Sequence, residues 1–131
     1  MPYIFDQPAR ITEKVVAQSV SSGSPNSVTP LLTLGLMQFI TVPSSLGTFT
    51  INAPSTTSNA GDQNLYADAN NYMFWSMRLK NSSGGTLTVT LNSAFLTVSP
   101  TWPANGKSRV YTFLWDGTNH ILMYQSAADL G

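Results

Sequence analysis

The sequence contains no cysteine among its 131 residues. This absence excludes disulfide bonds, thiolate metal sites and a cysteine nucleophile, and it is compatible with assembly in a reducing cytoplasm. Charged residues are also scarce, at 9% of the chain against roughly 25% in typical soluble proteins. A surface of Ser, Thr and Asn gives weak protection against self-association, so we expect neighbouring subunits to cover much of it.

The few charges balance, with six Lys and Arg against six Asp and Glu and a formal net charge of zero. The chain therefore has no field that would steer it toward nucleic acid or an acidic membrane, and we predict neither partner. No apolar stretch approaches the roughly 20 residues that span a bilayer, and the N-terminus lacks the basic and apolar regions of a secretory signal. We expect a soluble intracellular protein with no export signal of its own.

Residues suited to catalysis are few. The single histidine, His120, lies in a short polar link, and the chain has no Gly-x-Ser-x-Gly elbow, so a turn or strand-edge role is expected for it. Most aspartates are in turn contexts, and no glycine-rich loop is followed by a helix that could hold a phosphate. We therefore predict no enzymatic activity and no cofactor.

A long polar stretch between Ser55 and Asn71 contains oxygen-bearing side chains that could suggest a calcium site. These side chains are Asp62, Asn64, Asp68, Asn70 and Asn71. Their spacing lacks the alternating acidic pattern that ends in a bidentate Glu in calcium loops. We predict no metal here, and we interpret these residues as turn formers that bond their own backbone.

Short alternating runs of apolar and polar residues predict β-strands. Leu87, Val89 and Leu91 share one face of a strand whose other face carries threonines. The same alternation predicts strands over 47–52 and 72–80, and an apolar run bounded by prolines predicts one or two strands over 31–42. Two further aromatic and aliphatic runs flank Asp116-Gly117, which predicts a hairpin.

These elements predict an all-β fold, either an antiparallel β-sandwich, jelly-roll-like, or a small barrel, with an extended N-terminal arm. The length of 131 residues corresponds to one domain. Residues 1–30 are assigned to the arm and its Ser/Gly-rich connector, and residues 31–131 to the β-sandwich domain. No internal repeat is visible in the sequence.

The C-terminal half combines several features in a fixed order. It begins Asn81-Ser82-Ser83-Gly84-Gly85, continues with the alternating Thr/Leu/Val strand, an Asn-Gly-Lys link and an aromatic strand, and then has Trp115-Asp116-Gly117-Thr118-Asn119. This order resembles small all-β structural proteins of tailed bacteriophages, a class that includes capsid decoration proteins and tail-fibre or spike modules. His120 stands where such hairpins commonly carry Trp. The resemblance implies a virion location and assembly in the host cytoplasm.

Two hypotheses from different classes follow. The first is a capsid decoration or cement subunit, expected to be a homotrimer, that binds the major capsid protein and stabilises the assembled head through strand edges and the N-terminal arm. The alternative is a tail-fibre or spike module that binds host-surface glycan through the loop aromatics Trp102 and Tyr66. A β-sandwich from some other complex is a third interpretation, because a fold does not fix a function.

Six residues are candidates for partner binding: Tyr3, Ile4, Phe5, Phe74, Arg78 and Trp102. The first three form an apolar cluster that is unlike a solvated tail. Phe74 shares a mixed strand face with Arg78 and Lys80, which is typical of either an intersubunit contact or plain surface. Trp102 lies between two prolines, which favours either a lid over the core or a carbohydrate site.

Overall fold

A computed structural model of the protein describes residues 15–55, 72–97 and 99–131. These residues form nine strands and no helix, which confirms the predicted all-β character. The strands are β1 (Val15–Ser19), β2 (Ser27–Val28), β3 (Met37–Val42), β4 (Thr48–Ile51), β5 (Met73–Asn81), β6 (Thr88–Leu91), β7 (Phe95–Leu96), β8 (Ser108–Trp115) and β9 (His120–Gln125).

The strands form two sheets. One has six strands in the order β1-β3-β5-β8-β9-β7, and the other has three in the order β2-β4-β6. The pairs β5–β8 and β8–β9 are antiparallel, whereas the other five pairs are parallel. The sequence predicted antiparallel pairing, and the mixed sheet corrects that prediction. The reason is that side chains alternate between faces in both kinds of pair, so the apolar pattern does not distinguish them.

The first six strands alternate between the two sheets, and so the backbone repeats although the sequence does not. Val15 lies opposite Met37, 22 positions later, and Ser27 lies opposite Thr50, 23 positions later. A parallel bridge between Leu31 and Ser55 connects the same two successive repeats of the backbone. Strands β5 and β6 extend both parallel ladders by a third turn, after an interval that includes residues 56–71.

Part of the predicted N-terminal arm pairs with both sheets. Residues 15–19 form β1 beside β3, and residues 27–28 form β2 beside β4. The connector between β1 and β2 therefore leads the chain from the six-stranded sheet to the three-stranded sheet. The division of the chain into 1–30 and 31–131 stays a prediction, and residues 1–14 lie outside the described part.

One buried hydrophobic cluster joins the two sheets. The six-stranded sheet contributes Ile40, Val42, Trp75, Met77, Leu79, Tyr111 and Phe113, and the three-stranded sheet contributes Val28, Phe49 and Ile51. Each large side chain of this kind contributes about 1.5–3 kcal/mol when it is fully buried. The predicted faces of the strands around Phe49, Trp75 and Val89 are confirmed, since their apolar members point into this cluster.

The predicted hairpin is confirmed between β8 and β9. Its turn is held by the Asp116 carboxylate, which accepts the backbone N–H groups of Thr118 at 2.9 Å and Asn119 at 2.8 Å. Gly117 has φ +98°, a left-handed conformation in which glycine avoids the strain of a Cβ. The backbone N–H groups of Asn119 and Thr118 lower the pKa of the Asp116 carboxyl.

Candidate functional site

The six-stranded sheet presents an apolar surface on the side away from the core. Strand register defines three rows of side chains on this surface, which we call the outer face. The first row is Phe74, Leu114, Ile121 and Leu96, the second is Val15, Met37, Ser76, Thr112 and Tyr124, and the third is Ala17, Phe39, Arg78 and Val110. Each row spans four or five strands, and together the rows extend from β1 to β7.

The outer face exists because its residues alternate with those of the core. Along β5, Trp75 and Met77 are buried, so Phe74, which directly precedes Trp75, points to the opposite side of the sheet and is 59% exposed. Val15 is also 59% exposed and Tyr124 57%. With strands about 4.8 Å apart, the three rows cover on the order of 300 Å² of sheet, the size at which an apolar patch on a monomer is often functional.

A shallow hollow of about 360 Å³ lies where the first two rows meet near β1. Its lining is almost entirely apolar and consists of Val15, Leu36, Met37, Phe74, Trp75 and Ser76. The Ser76 hydroxyl in this lining is already hydrogen-bonded to Thr112 Oγ1 at 3.1 Å, so the hollow offers little polar surface that could orient a reacting substrate. Its chemistry fits an apolar side chain of a partner.

Arg78 is held in the third row by its own chain. Its guanidinium lies 5.2 Å from the centre of the Phe39 ring. Its Nε donates to Ser108 Oγ at 3.1 Å, and its Nη2 donates to the carbonyl oxygen of Gly131 at 2.9 Å. Phe74 and Arg78 thus share the outer face, and the cation is already oriented without a partner.

Trp102 packs against the core from one end. Its ring lies 5.3 Å from that of Tyr111, and it contacts the buried cluster while remaining partly exposed. The Tyr111 hydroxyl donates to the carbonyl of Thr101, and burial raises the pKa of this phenol. This geometry matches the lid interpretation of Trp102, and its role in partner binding stays a prediction.

His120 is a core residue, which corrects its predicted role at a turn or strand edge. It is 2% exposed at the start of β9, and the Trp75 indole Nε1–H donates to its Nδ1 at 3.0 Å. The rings of Trp115 and Phe95 lie 4.5 Å and 5.5 Å from it. Burial lowers the pKa of His120 to about 4, against a smaller opposing effect of the Asp116 charge. The imidazole is therefore neutral at pH 7 and serves the packing of the core.

Other predicted site residues lie outside the described part of the chain. These are Tyr3, Ile4, Phe5, Tyr66 and the polar side chains considered for calcium between Asp62 and Asn71. Within the described residues, no three His, Asp or Glu side chains are grouped so that they could hold a metal ion. The described part also has no helix long and apolar enough to cross a membrane.

Sequence reasoning named two residues of the outer face and missed the rest. The signal was present in β8, where Val110 and Leu114 face outward while Tyr111 and Phe113 face the core. A strand that is apolar on both faces is typical of a sheet covered on both sides. The second apolar face of this strand therefore marked the outer face in the sequence.

Comparison with known proteins finds no match. No protein-family model matches the sequence, no curated protein is significantly similar to it, and no solved structure is significantly similar to its fold.

Proposed function

We propose that this protein is a structural subunit that acts by contact, and that the outer face is the surface it presents to its partner. The observation that carries the proposal is the set of exposed apolar side chains in register across the sheet, among them Val15, Phe74 and Tyr124. Burying such a face removes apolar area from water and leaves few charges to desolvate. The scarcity of charge in the whole chain, at 9%, supports the same interpretation.

The specific role that we propose is a capsid decoration or cement subunit of a tailed bacteriophage. The subunit binds the major capsid protein on the assembled head, and it does so as a homo-oligomer, a trimer in this proposal. A protein that binds only the assembled lattice stabilises that lattice by its binding free energy. Support comes from the resemblance of the region from Asn81 to Asn119, and the proposed location is the virion capsid.

In the same proposal the two sheets face each other as a β-sandwich. The support is the single buried cluster to which both sheets contribute. Such an arrangement leaves the outer face as the broad apolar side of the sandwich. The cluster of Tyr3, Ile4 and Phe5 is proposed as an additional anchor on neighbouring subunits.

The alternative function is glycan recognition by a tail-fibre or spike module. The observation in its favour is that Trp102 stays partly exposed in the loop before β8. A glycan array screened with the purified protein tests it, with Trp102→Phe as the variant because Phe keeps a ring on Tyr111. No binding by the wild-type protein removes the alternative, and binding that Trp102→Phe weakens supports it.

Binding to phage heads tests the main proposal. In this proposal a tailed phage encodes the sequence, and the heads come from that phage and are prepared without the protein. We expect saturable binding that Phe74→Thr weakens about 10- to 100-fold, because aromatic residues at the centre of an interface dominate its binding energy. Absence of binding, or binding that Phe74→Thr leaves unchanged, contradicts the proposal.

Leu34→Thr is the matched control for Phe74→Thr. Leu34 is 55% exposed, close to the 59% of Phe74, but it lies in the turn before β3. The buried Gln38, which points to the core side of β3, holds that turn in place. Its Nε2 donates to the carbonyls of Leu31 at 3.1 Å and Gly35 at 2.7 Å. We expect Leu34→Thr to bind heads as the wild type does.

A further inference from the structure

The two edge strands of the six-stranded sheet differ in how they are protected. An edge strand exposes unpaired backbone groups, and proteins protect such edges with short strands, Lys, Pro or bulges. At one edge, β7 has only two residues, so that edge is short. At the other edge, β1 has five residues, Val-Val-Ala-Gln-Ser, without a charge or a proline.

Backbone hydrogen bonds show which groups of β1 face outward from the edge. The Val20 N–H donates to the Thr41 carbonyl in β3 at 3.0 Å. Because backbone groups of successive residues point to opposite sides of a strand, Val16 and Gln18 also face β3. The N–H and C=O groups of Val15, Ala17 and Ser19 therefore point away from the sheet, and no other described residue pairs with them.

In the three-stranded sheet the corresponding edge strand is β2, and its outward backbone groups are already hydrogen-bonded within the chain. Ser21 and Ser27 form an antiparallel bridge beside β2, with the Ser21 N–H donating to the Ser27 carbonyl at 2.8 Å and the reverse bond at 3.0 Å. The backbone groups of Ser27 that point away from β4 are thus satisfied within the chain. Of these two edge strands, β1 is the one open to strand addition in the described structure.

We propose that β1 pairs antiparallel with β1 of a second copy of this chain across a two-fold axis. Ala17 lies opposite Ala17 of the second copy, and Val15 lies opposite Ser19, so that each outward backbone group of β1 finds a partner. This contact is isologous, because the same strand is used by both copies. It joins two six-stranded sheets into one continuous sheet and fuses two outer faces into one surface.

A second copy fits this edge because β1 is complementary to itself. The strand carries no charge, so antiparallel pairing places no like charges opposite each other. The side chains that meet on the outer face are small or aliphatic: Val15, Ala17 and Ser19. A two-fold contact is also compatible with a separate three-fold axis, and this inference does not depend on the proposed function.

Ala17→Pro tests the pairing. Proline removes the N–H that Ala17 points away from the sheet, and proline is tolerated at the outward positions of edge strands. We expect light scattering at about 100 µM to give the Ala17→Pro protein half the mass of the wild type, since a strand edge without its central donor loses the ladder. Ala17→Ser keeps the N–H and keeps the wild-type mass.

A wild-type monomer overturns the proposal, and so does an Ala17→Pro protein with the wild-type mass.

Cross-linking keeps the proposal testable should Ala17→Pro fail to fold. The chain has no cysteine, so Ala17→Cys introduces a single thiol, and opposed residues in an antiparallel pair have Cα atoms about 5.5 Å apart. A short thiol cross-linker should join two Ala17→Cys chains and leave Thr118→Cys chains, with the thiol in the distant hairpin turn, unjoined. Equal cross-linking of both variants overturns the proposal.

Discussion

Urea unfolding between pH 7.5 and pH 4 should show the fold losing stability through one residue, His120. In the folded protein burial lowers the pKa of this imidazole from 6.5 to about 4. The unfolded chain therefore takes up a proton as the pH falls through 6.5, whereas the folded chain takes it up only near pH 4. The contribution of His120 to the free energy of unfolding is therefore fully present above pH 6.5, falls between pH 6.5 and pH 4, and does not change further below pH 4.

The size of the effect follows from the pKa difference. At 1.36 kcal/mol for each pKa unit, the shift from 6.5 to about 4 corresponds to about 3 kcal/mol. Because the His120 side chain is only 2% exposed, solvent screening removes little of this value. The carboxyls of Asp116 and Asp129 have pKa values below the ordinary 3.8, so their contributions are lost at lower pH than the His120 window.

Two measurements check the prediction together. The free energy of unfolding from urea titrations should fall by about 3 kcal/mol from pH 7 to pH 4, with a slope approaching 1.36 kcal/mol per pH unit near pH 5. Since the chain has one histidine, NMR titration of the untagged protein reports the folded pKa of that imidazole without ambiguity. A folded pKa near 6.5, or equal stability at pH 7 and pH 4, would refute the reasoning.

The control is His120→Asn. Its amide oxygen stands near the position of Nδ1, so it can still accept the indole N–H of Trp75, but it does not titrate. The variant should be less stable at pH 7, because the ring contacts with Trp115 and Phe95 are lost. Its stability should change little between pH 6.5 and pH 4. A loss of stability across that range as large as in the wild type would assign the effect to another group.

Two further substitutions test local features of the fold. Gly84→Ala should lower the free energy of unfolding by about 1–2 kcal/mol because Gly84 has φ +94°, while Gly85→Ala, with open space at its Cβ and no left-handed φ, should change it little. Equal urea midpoints for these variants would contradict the strain argument. Asn81→Leu should cost about 2–4 kcal/mol, since the buried amide donates to the carbonyls of Gly85 and Pro103. Calorimetry that shows an unchanged melting temperature would contradict this.

Local patterns in the sequence predicted strands and buried faces after residue 30, whereas β1 and β2 lie in the segment that was predicted to be an arm and connector. The alternation around Trp75 and the Asp116-Gly117 turn depend on neighbouring residues, so they can be read without knowledge of the fold. The partners of the parallel strands could not be predicted in the same way. Val15 pairs with Met37, 22 positions away, and their side chains carry no mark of that register.

The candidate site was predicted in part for a related reason. Phe74 and Arg78 were recognised because an aromatic residue and cations share one mixed face of a strand. The outer face arises only when β3, β5, β8 and β9 lie side by side, which brings Met37 and Tyr124 into one row. The burial of His120 was missed because its hydrogen-bond donor, Trp75, is 45 positions away.

Methionine oxidation in the assembled particle tests most directly whether the outer face is a contact surface. Met37 lies on that face and is 37% exposed in the free protein, whereas Met77 points into the core and is 1% exposed. Oxidation by peroxide follows exposure, so assembly should slow the oxidation of Met37 by about tenfold and leave the slow oxidation of Met77 unchanged. Oxidation of Met37 at the same rate in free and assembled protein would contradict the account.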